Sequence, residues 1–362
     1  MALDRPISEQ FPLRTNFQQH KLKKLLQILL IGAIIRLLYL FITQQRVVGQ
    51  NTSLHVWYTA EQKIKRPPHI NRDHGYCGLC PADKQLSTAW QLEDIITHLP
   101  SSDQFLVNIG AASVEGGIYD PTCSLLNASD SSFGALLIDP KANPAFFSAY
   151  PRRSNIRIVH DYIWSESIIS GIFQKYNVSK NFTLLKIDVD SYECSLLDAI
   201  LRADYRPQLI HTEFNPIFPP PVVFMPIYDP KTKLDWRPAL WAHSGPFYGC
   251  SLSALSKVLR LYDYLLVEVD FWDVIYIQRE LVQAGDMQVP ANDMLAFEHG
   301  FASHSCSPYC RENPKLYNGH ISSAIESGMN QSNFTAYMTN VIDQYAPISM
   351  RNKRRHPYII TI

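Results

Sequence analysis

A net charge of either sign is what this chain of 362 residues lacks: 33 Lys and Arg balance 33 Asp and Glu. Binding nucleic acid takes a clustered basic excess that neutralises phosphates, so that function class falls away. Internal repeats and low-complexity tracts are also missing, which excludes solenoids and arrays. Nor is the composition that of a disordered chain, since hydrophobic residues make up 46% and aromatics 12%. The length accommodates one large domain or two small ones, with a sizeable core.

Most of the N-terminal apolar excess sits in one run, Leu25 to Ile42 (LLQILLIGAIIRLLYLFI). As a helix it extends roughly 27 Å, the hydrocarbon thickness of a bilayer. Arg36 costs about 3 kcal/mol at mid-membrane, but the Leu, Ile and Phe residues return more, and an arginine near the end of a span snorkels. Arg5, Arg14, Lys21, Lys23 and Lys24 precede the run and only Arg46 closely follows it, so the positive-inside rule puts the N-terminus in the cytoplasm. A cleaved signal peptide fits less well, because the stretch before the run is long and no small-x-small site directly follows. A buried core helix fits less well still, because no polar face interrupts the run. The expected topology is a single-pass type II protein of the Golgi or endoplasmic reticulum with a lumenal body. Asn51, Asn127, Asn177, Asn181, Asn330 and Asn333 all head N-x-[ST] sequons, and all follow the apolar run.

Cysteine is sparse. The pairs Cys77/Cys80 and Cys306/Cys310 have the spacing of zinc knuckles, with Cys123, Cys194 and Cys250 completing seven. An oxidising lumen favours disulfides over zinc, and the odd count leaves at least one free thiol.

The organisation expected is a cytoplasmic tail over 1–24, the anchor over 25–42, and a stem with a lead-in helix over 43–100. A catalytic-type domain over 101–280 and an irregular C-terminal extension over 281–362 follow, the latter ending in the basic run 351–356 of a solvated tail. Within 101–280, short apolar runs at 105–109, 135–138, 156–159, 184–189, 208–212, 264–269 and 274–277 alternate with helical stretches. That alternation predicts a doubly wound, mostly parallel α/β sheet of seven strands. The last two runs form a terminal hairpin, giving the sheet an antiparallel edge.

Ligands bind such sheets outside the carboxyl ends of the strands. The first run ends Asn108-Ile-Gly110-Ala111, where a glycine permits a tight turn. The second ends Ile138-Asp139-Pro140, the third runs into Asp161-Tyr-Ile163, and the fourth is Lys186-Ile-Asp188-Val-Asp190. The fifth is His211-Thr-Glu213-Phe-Asn215. Alternation puts Lys186, Asp188 and Asp190 on one face, and His211, Glu213 and Asn215 likewise. Bland alternatives stand beside each reading. Asp139 is equally a helix N-cap before Pro140, Asp161 a turn residue, and His211 a packed strand histidine. Two carboxylates at i and i+2 call for a cation, and Lys186 can be that partner. His243 is a candidate base in a loop. The proline-rich stretch 216–224 reads as a rigid loop over the fifth strand end, where acceptor specificity can reside.

In this order the motifs Asn-Ile-Gly-Ala, Leu-Ile-Asp-Pro, Asp-Tyr-Ile-Trp-Ser-Glu, Leu-Lys-Ile-Asp-Val-Asp-Ser-Tyr-Glu and Thr-Glu-Phe-Asn-Pro resemble those of FkbM-type S-adenosylmethionine-dependent methyltransferases. The resemblance covers about half the chain and is most specific at 185–193. It implies a Rossmann-like methyltransferase fold with S-adenosylmethionine as cofactor. By the same resemblance Asn108, Gly110 and Ala111 line the methionine side, Asp139 binds ribose, Asp161 and Ile163 frame the adenine, and Asp188 adjoins the cofactor. Departures from the family pattern are Asn108 in place of an acidic residue, Ala112 to Gly116 in the first loop, and Ser191 in place of glycine.

The expected activity is methyl transfer to a hydroxyl, with a glycan as the acceptor the compartment suggests. Asp188, Asp190 and Glu213 are candidate catalytic bases. Asp188, Asp190 and Asn215 are candidate ligands for Mg2+ or another divalent cation, which prefers such hard oxygens. Two other readings compete: an Asp-x-Asp glycosyltransferase using Asp188 and Asp190 with Mn2+, and a binding protein on a non-catalytic methyltransferase fold.

Overall fold

All seven expected runs form strands and join one sheet. They are β1 Asp103–Ile109, β2 Gly134–Ile138, β3 Ile156–Val159, β4 Phe182–Ile187 and β5 Leu209–Glu213, then β7 Tyr264–Asp270 and β8 Asp273–Gln278. β6 Val223–Pro226 and β9 Tyr358–Thr361 make a separate antiparallel pair. The computed structural model describes residues 92–99, 103–111, 120–128, 132–141, 143–161, 163, 166–189, 191–227, 247, 249–285, 287–304, 313–345 and 358–362. The apolar run 25–42, the stem, Cys77, Cys80, Cys306, Cys310, Asp190 and His243 lie outside these. No helix among the described residues is long and apolar enough to cross a membrane.

The sheet order is β3-β2-β1-β4-β5-β8-β7. β8 runs antiparallel to both β5 and β7, so β7 is parallel to β5 and the antiparallel strand lies inside the sheet. This corrects the expected antiparallel edge. Burial explains the order. Val274, Ile275, Tyr276 and Ile277 of β8 are all buried, whereas Leu265 and Val267 of β7 are half-buried, as suits an edge.

Alternation along each strand feeds two cores. On one face Val107, Ile138, Leu185, Ile187 and Ile210 meet α3 (Glu166–Lys175), α4 (Glu193–Arg202) and α5 (Leu252–Arg260). On the other, Leu106, Leu137, Leu184, Leu209 and Ile277 meet α1 (Leu92–Thr97), α2 (Pro121–Asn127) and α6 (Arg279–Ala284). Helices on both faces of a mostly parallel sheet make the α/β architecture.

The C-terminal region departs from the expected irregular chain. It holds α7 Asp293–Phe297 with a π turn over 298–302, α8 Asn313–Glu326 and α9 Gln331–Tyr345. A third core forms from Ile321, Ala324, Phe334, Met338 and Ile342 against Phe218, Phe224 and Ile360. The proline-rich stretch is the expected loop after β5 as far as 222, but its Ile217, Phe218 and Val222, with Phe224 of β6, are buried in that core.

Cys194, at the start of α4, is bonded to Cys250, just before α5. Closing 56 residues into a loop contributes about 4 kcal/mol in the chain-entropy account. Cys123 is the free thiol among the described cysteines. Burial, with Asp120 nearby, pushes it up to about 12, so it stays a thiol at neutral pH.

Candidate functional site

The chain reverses direction through the sheet between β1 and β4: β2 and β3 lie to one side, β4 and β5 to the other. Such a switch point opens a crevice at the carboxyl ends of the two strands. Hydrogen bonds beyond the strands hold its edge in register. Gly110 and Ala111 N–H both donate to the Ile138 carbonyl, at 2.9 and 3.3 Å, Asp139 N–H to Val159 at 3.0 Å, and Asp188 N–H to Ile109 at 2.9 Å.

Gly110 is required by space and by backbone angle. Its φ is +86°, and a Cβ there would lie 1.6 Å from the Asp188 carbonyl oxygen. The first turn is thus pressed onto the end of β4. The N–H groups of Gly110 and Ala111 are spent on the sheet, so these residues can offer a ligand shape and proximity more than donors. Tyr150 fastens the same turn, its hydroxyl donating to the Ala111 carbonyl at 3.0 Å.

Beneath the crevice lies a buried polar row. Asn108, Lys186 and His211 are adjacent across β1, β4 and β5. All three are buried, on the face that meets α2. The Lys186 ammonium stands 2.8 Å from Asp188 Oδ2 and 3.2 Å from Asp120 Oδ2. Asp120 is the N-cap of α2, with Pro121 opening the helix. Its Oδ1 accepts from the Thr122 N–H at 2.8 Å and the Thr122 hydroxyl at 2.6 Å, and its Oδ2 from Asn108 Nδ2 at 2.8 Å. Burial alone would raise the Asp120 carboxyl, but Lys186, Thr122 and Asn108 outweigh it and hold it below its ordinary value. Burial likewise opposes the charge on Lys186, and Asp120 and Asp188 together raise it well above its ordinary value. At neutral pH Asp120 and Lys186 form a buried ion pair, and Asp188 completes a triad with the same ammonium.

The predicted residues distribute as follows. Gly110 and Asp188 touch, and Asp139 lies on the neighbouring strand end. Asp139 Oδ1 accepts from the Lys141 N–H at 2.8 Å, which is a turn. The helix N-cap alternative for Asp139 fails, because the next helical turn (Pro144–Phe147) is capped by Asn143. Asn108 is fully buried with its amide turned to Asp120, Thr122 and Tyr150, so it supports the crevice from below and does not line it. Asp161 is exposed past β3, and Ile163 is buried in the core that holds Ile138 and Ile187. Glu213 is half-buried at the end of β5, opposite Asp273 of β8. His211 is a packed strand histidine, 3.9 Å from Asp273.

Two expectations for metal ligation meet the geometry. Asn215 is fully buried and its Oδ1 accepts from the Ile217 N–H at 3.0 Å, a use that shapes the turn after β5. No group of three or more His, Cys, Asp or Glu suited to a metal ion occurs among the described residues. Lys186 supplies the cation that Asp188 calls for.

Sequence reasoning missed Asp120, Tyr150 and Glu193. Glu193 is fully buried, and its Oε1 accepts from the Val189 and Ser191 N–H groups at 3.2 and 2.9 Å, shaping the turn that follows Asp188. A signal for Asp120 existed in Asp120-Pro121, the same dipeptide weighed at Asp139-Pro140. Only at 120 does it open a helix. No protein-family model matches this chain, and no curated protein matches it.

Proposed function

We propose that this protein is an S-adenosylmethionine-dependent methyltransferase acting on a hydroxyl, anchored by residues 25–42 with its body in the lumen of the secretory pathway. The observation that carries the reading is the convergence at one switch point of the Gly110 turn, Asp139 on the next strand and Asp188 across from it. These residue types suit a nucleoside cofactor: a glycine for close backbone approach, an acidic group for ribose and a carboxylate at the crevice mouth. The seven-stranded, mostly parallel sheet agrees with the fold that the FkbM resemblance implies, although a fold alone does not assign chemistry.

When bound, S-adenosylmethionine supplies an electrophilic methyl group. The chain's part is to place the acceptor hydroxyl and take its proton, with Asp188 and Glu213 as the carboxylates within the described residues. Asp139 is the residue to hold ribose. Calorimetry of S-adenosylmethionine binding to the full-length chain is the direct test. Asp139→Ala is expected to weaken binding roughly 10- to 100-fold for each charged-acceptor hydrogen bond lost, with a modest loss of melting temperature from the broken turn bond to Lys141. Absence of binding to the unmodified chain sinks the reading.

The lumenal orientation has its own support and its own check. The Cys194–Cys250 disulfide suits an oxidising compartment, and Asn127, Asn177, Asn181, Asn330 and Asn333 are all exposed. Expressed in eukaryotic cells, the chain should run faster on a gel after glycosidase treatment. Unchanged mobility counts against a lumenal body.

A further inference from the structure

We infer that Asp120, acting through Lys186, is a positioning residue for Asp188, holding the one partly exposed carboxylate of the triad in a fixed orientation at the crevice mouth. The inference rests on the proposed function only in taking Asp188 as a cofactor-facing group.

Asp120 is held by three donors from Thr122 and Asn108, all within 2.9 Å, and its side chain is 5% exposed. Lys186 has a flexible four-carbon stem, and its charge is a compact point that follows whichever carboxylate is fixed. With Asp120 immobile, the ammonium is immobile too. Asp188 then has no choice but to bring Oδ2 to that ammonium, at 2.8 Å. Its side chain is 31% exposed against 3% for Lys186, so the triad runs from a buried anchor to an accessible end. The backbone on either side of Asp188 is pinned as well, by Ile109 before it and by the Glu193-capped turn after it. Preorganisation of this kind removes the cost of ordering the group when a ligand arrives.

A merely structural cap at Asp120 would affect stability alone. A positioning residue affects affinity as well, and its effect depends on Lys186. Both are measurable in the full-length chain. Asp120→Asn keeps the shape and part of the capping while removing the charge that pins the ammonium. It should lower S-adenosylmethionine affinity about ten-fold with a small loss of melting temperature. In a Lys186→Met background the sign of its thermal effect should reverse. There Asp120 is a buried carboxylate lacking its ammonium partner, so Asp120→Asn should raise the melting temperature.

The melting experiment needs no ligand, so it decides the coupling even if the cofactor reading fails. The same sign in both backgrounds overturns the inference, whether or not S-adenosylmethionine binds. Should the unmodified chain bind the cofactor and Asp120→Asn bind it equally well, the positioning role is overturned while the cofactor reading stands.

Discussion

Lys186→Met should cost this protein about 3–5 kcal/mol of folding stability, the usual penalty for breaking a buried ion pair by removing one partner. The loss should also depend on pH with a particular sign. In the unmodified chain Asp120 is held below its ordinary value of 3.8, so its contribution is present above that pH and is lost as pH falls through the folded value. Lys186 is raised above its ordinary 10.5, so its contribution is complete below that pH and is lost only as pH rises through the folded value. Between these limits Asp120 and Lys186 are both charged and stability is flat with respect to them. Removing the ammonium takes away the largest influence that lowers the Asp120 carboxyl, while burial still raises it and Thr122 and Asn108 still lower it. The folded carboxyl should then titrate at higher pH than in the unmodified chain, and the acid-side loss of stability should move up in pH with it, as unfolding in urea across a pH series would show. A variant with an unshifted pH profile would falsify the charged triad.

Gly110→Ala should be at least as damaging. The left-handed backbone alone costs a residue with a Cβ about 1–3 kcal/mol. Here the Cβ would also lie 1.6 Å from a backbone oxygen of Asp188, which no side-chain rearrangement relieves. The ends of β1 and β4 must part, straining the Gly110-to-Ile138 and Asp188-to-Ile109 hydrogen bonds, both 2.9 Å. A total above about 4 kcal/mol is expected, together with loss of any ligand that uses the crevice. Thermal melting checks the first and calorimetry the second. Near-native melting would mean that the two strand ends do not meet this closely.

These two positions differ in how far the sequence discloses them. Asn-Ile-Gly at the end of an apolar run marks Gly110 as a turn on sight, because only glycine takes such backbone angles cheaply. Lys186 and Asp188 share a face by strand periodicity alone, and their pairing is one of the options that local spacing leaves open. Asp120 is different. It lies 66 positions before Lys186, and nothing local ties the two. The Asp-Pro dipeptide marks a helix start, yet which strand end that helix start faces depends on the order of strands.

The C-terminal region teaches the same lesson at larger scale. In α8, NPKLYNGHISSAIE, polar residues and Gly319 interrupt the apolar positions, so helical periodicity is faint. The helix is stabilised by Phe218, Phe224 and Phe334 in the third core, none of which is near it in the sequence except Phe334. Likewise β9 is four residues, Tyr358–Thr361, and is a strand because β6 offers it a ladder.

Seven strands, their approximate limits and the polar character of their carboxyl ends were determined by the sequence alone, because hydrophobic periodicity and turn chemistry act over a few residues. The inward place of β8, the Cys194–Cys250 bond and the union of Asp120, Lys186 and Asp188 were decided only by the tertiary structure. Each depends on which segments lie side by side, and that is settled by burying whole faces at once: β8 goes inside because it is apolar on both faces. Lys186 is tolerated beneath the crevice for a related reason, since the fold brings a carboxylate to it from α2 as well as from its own strand.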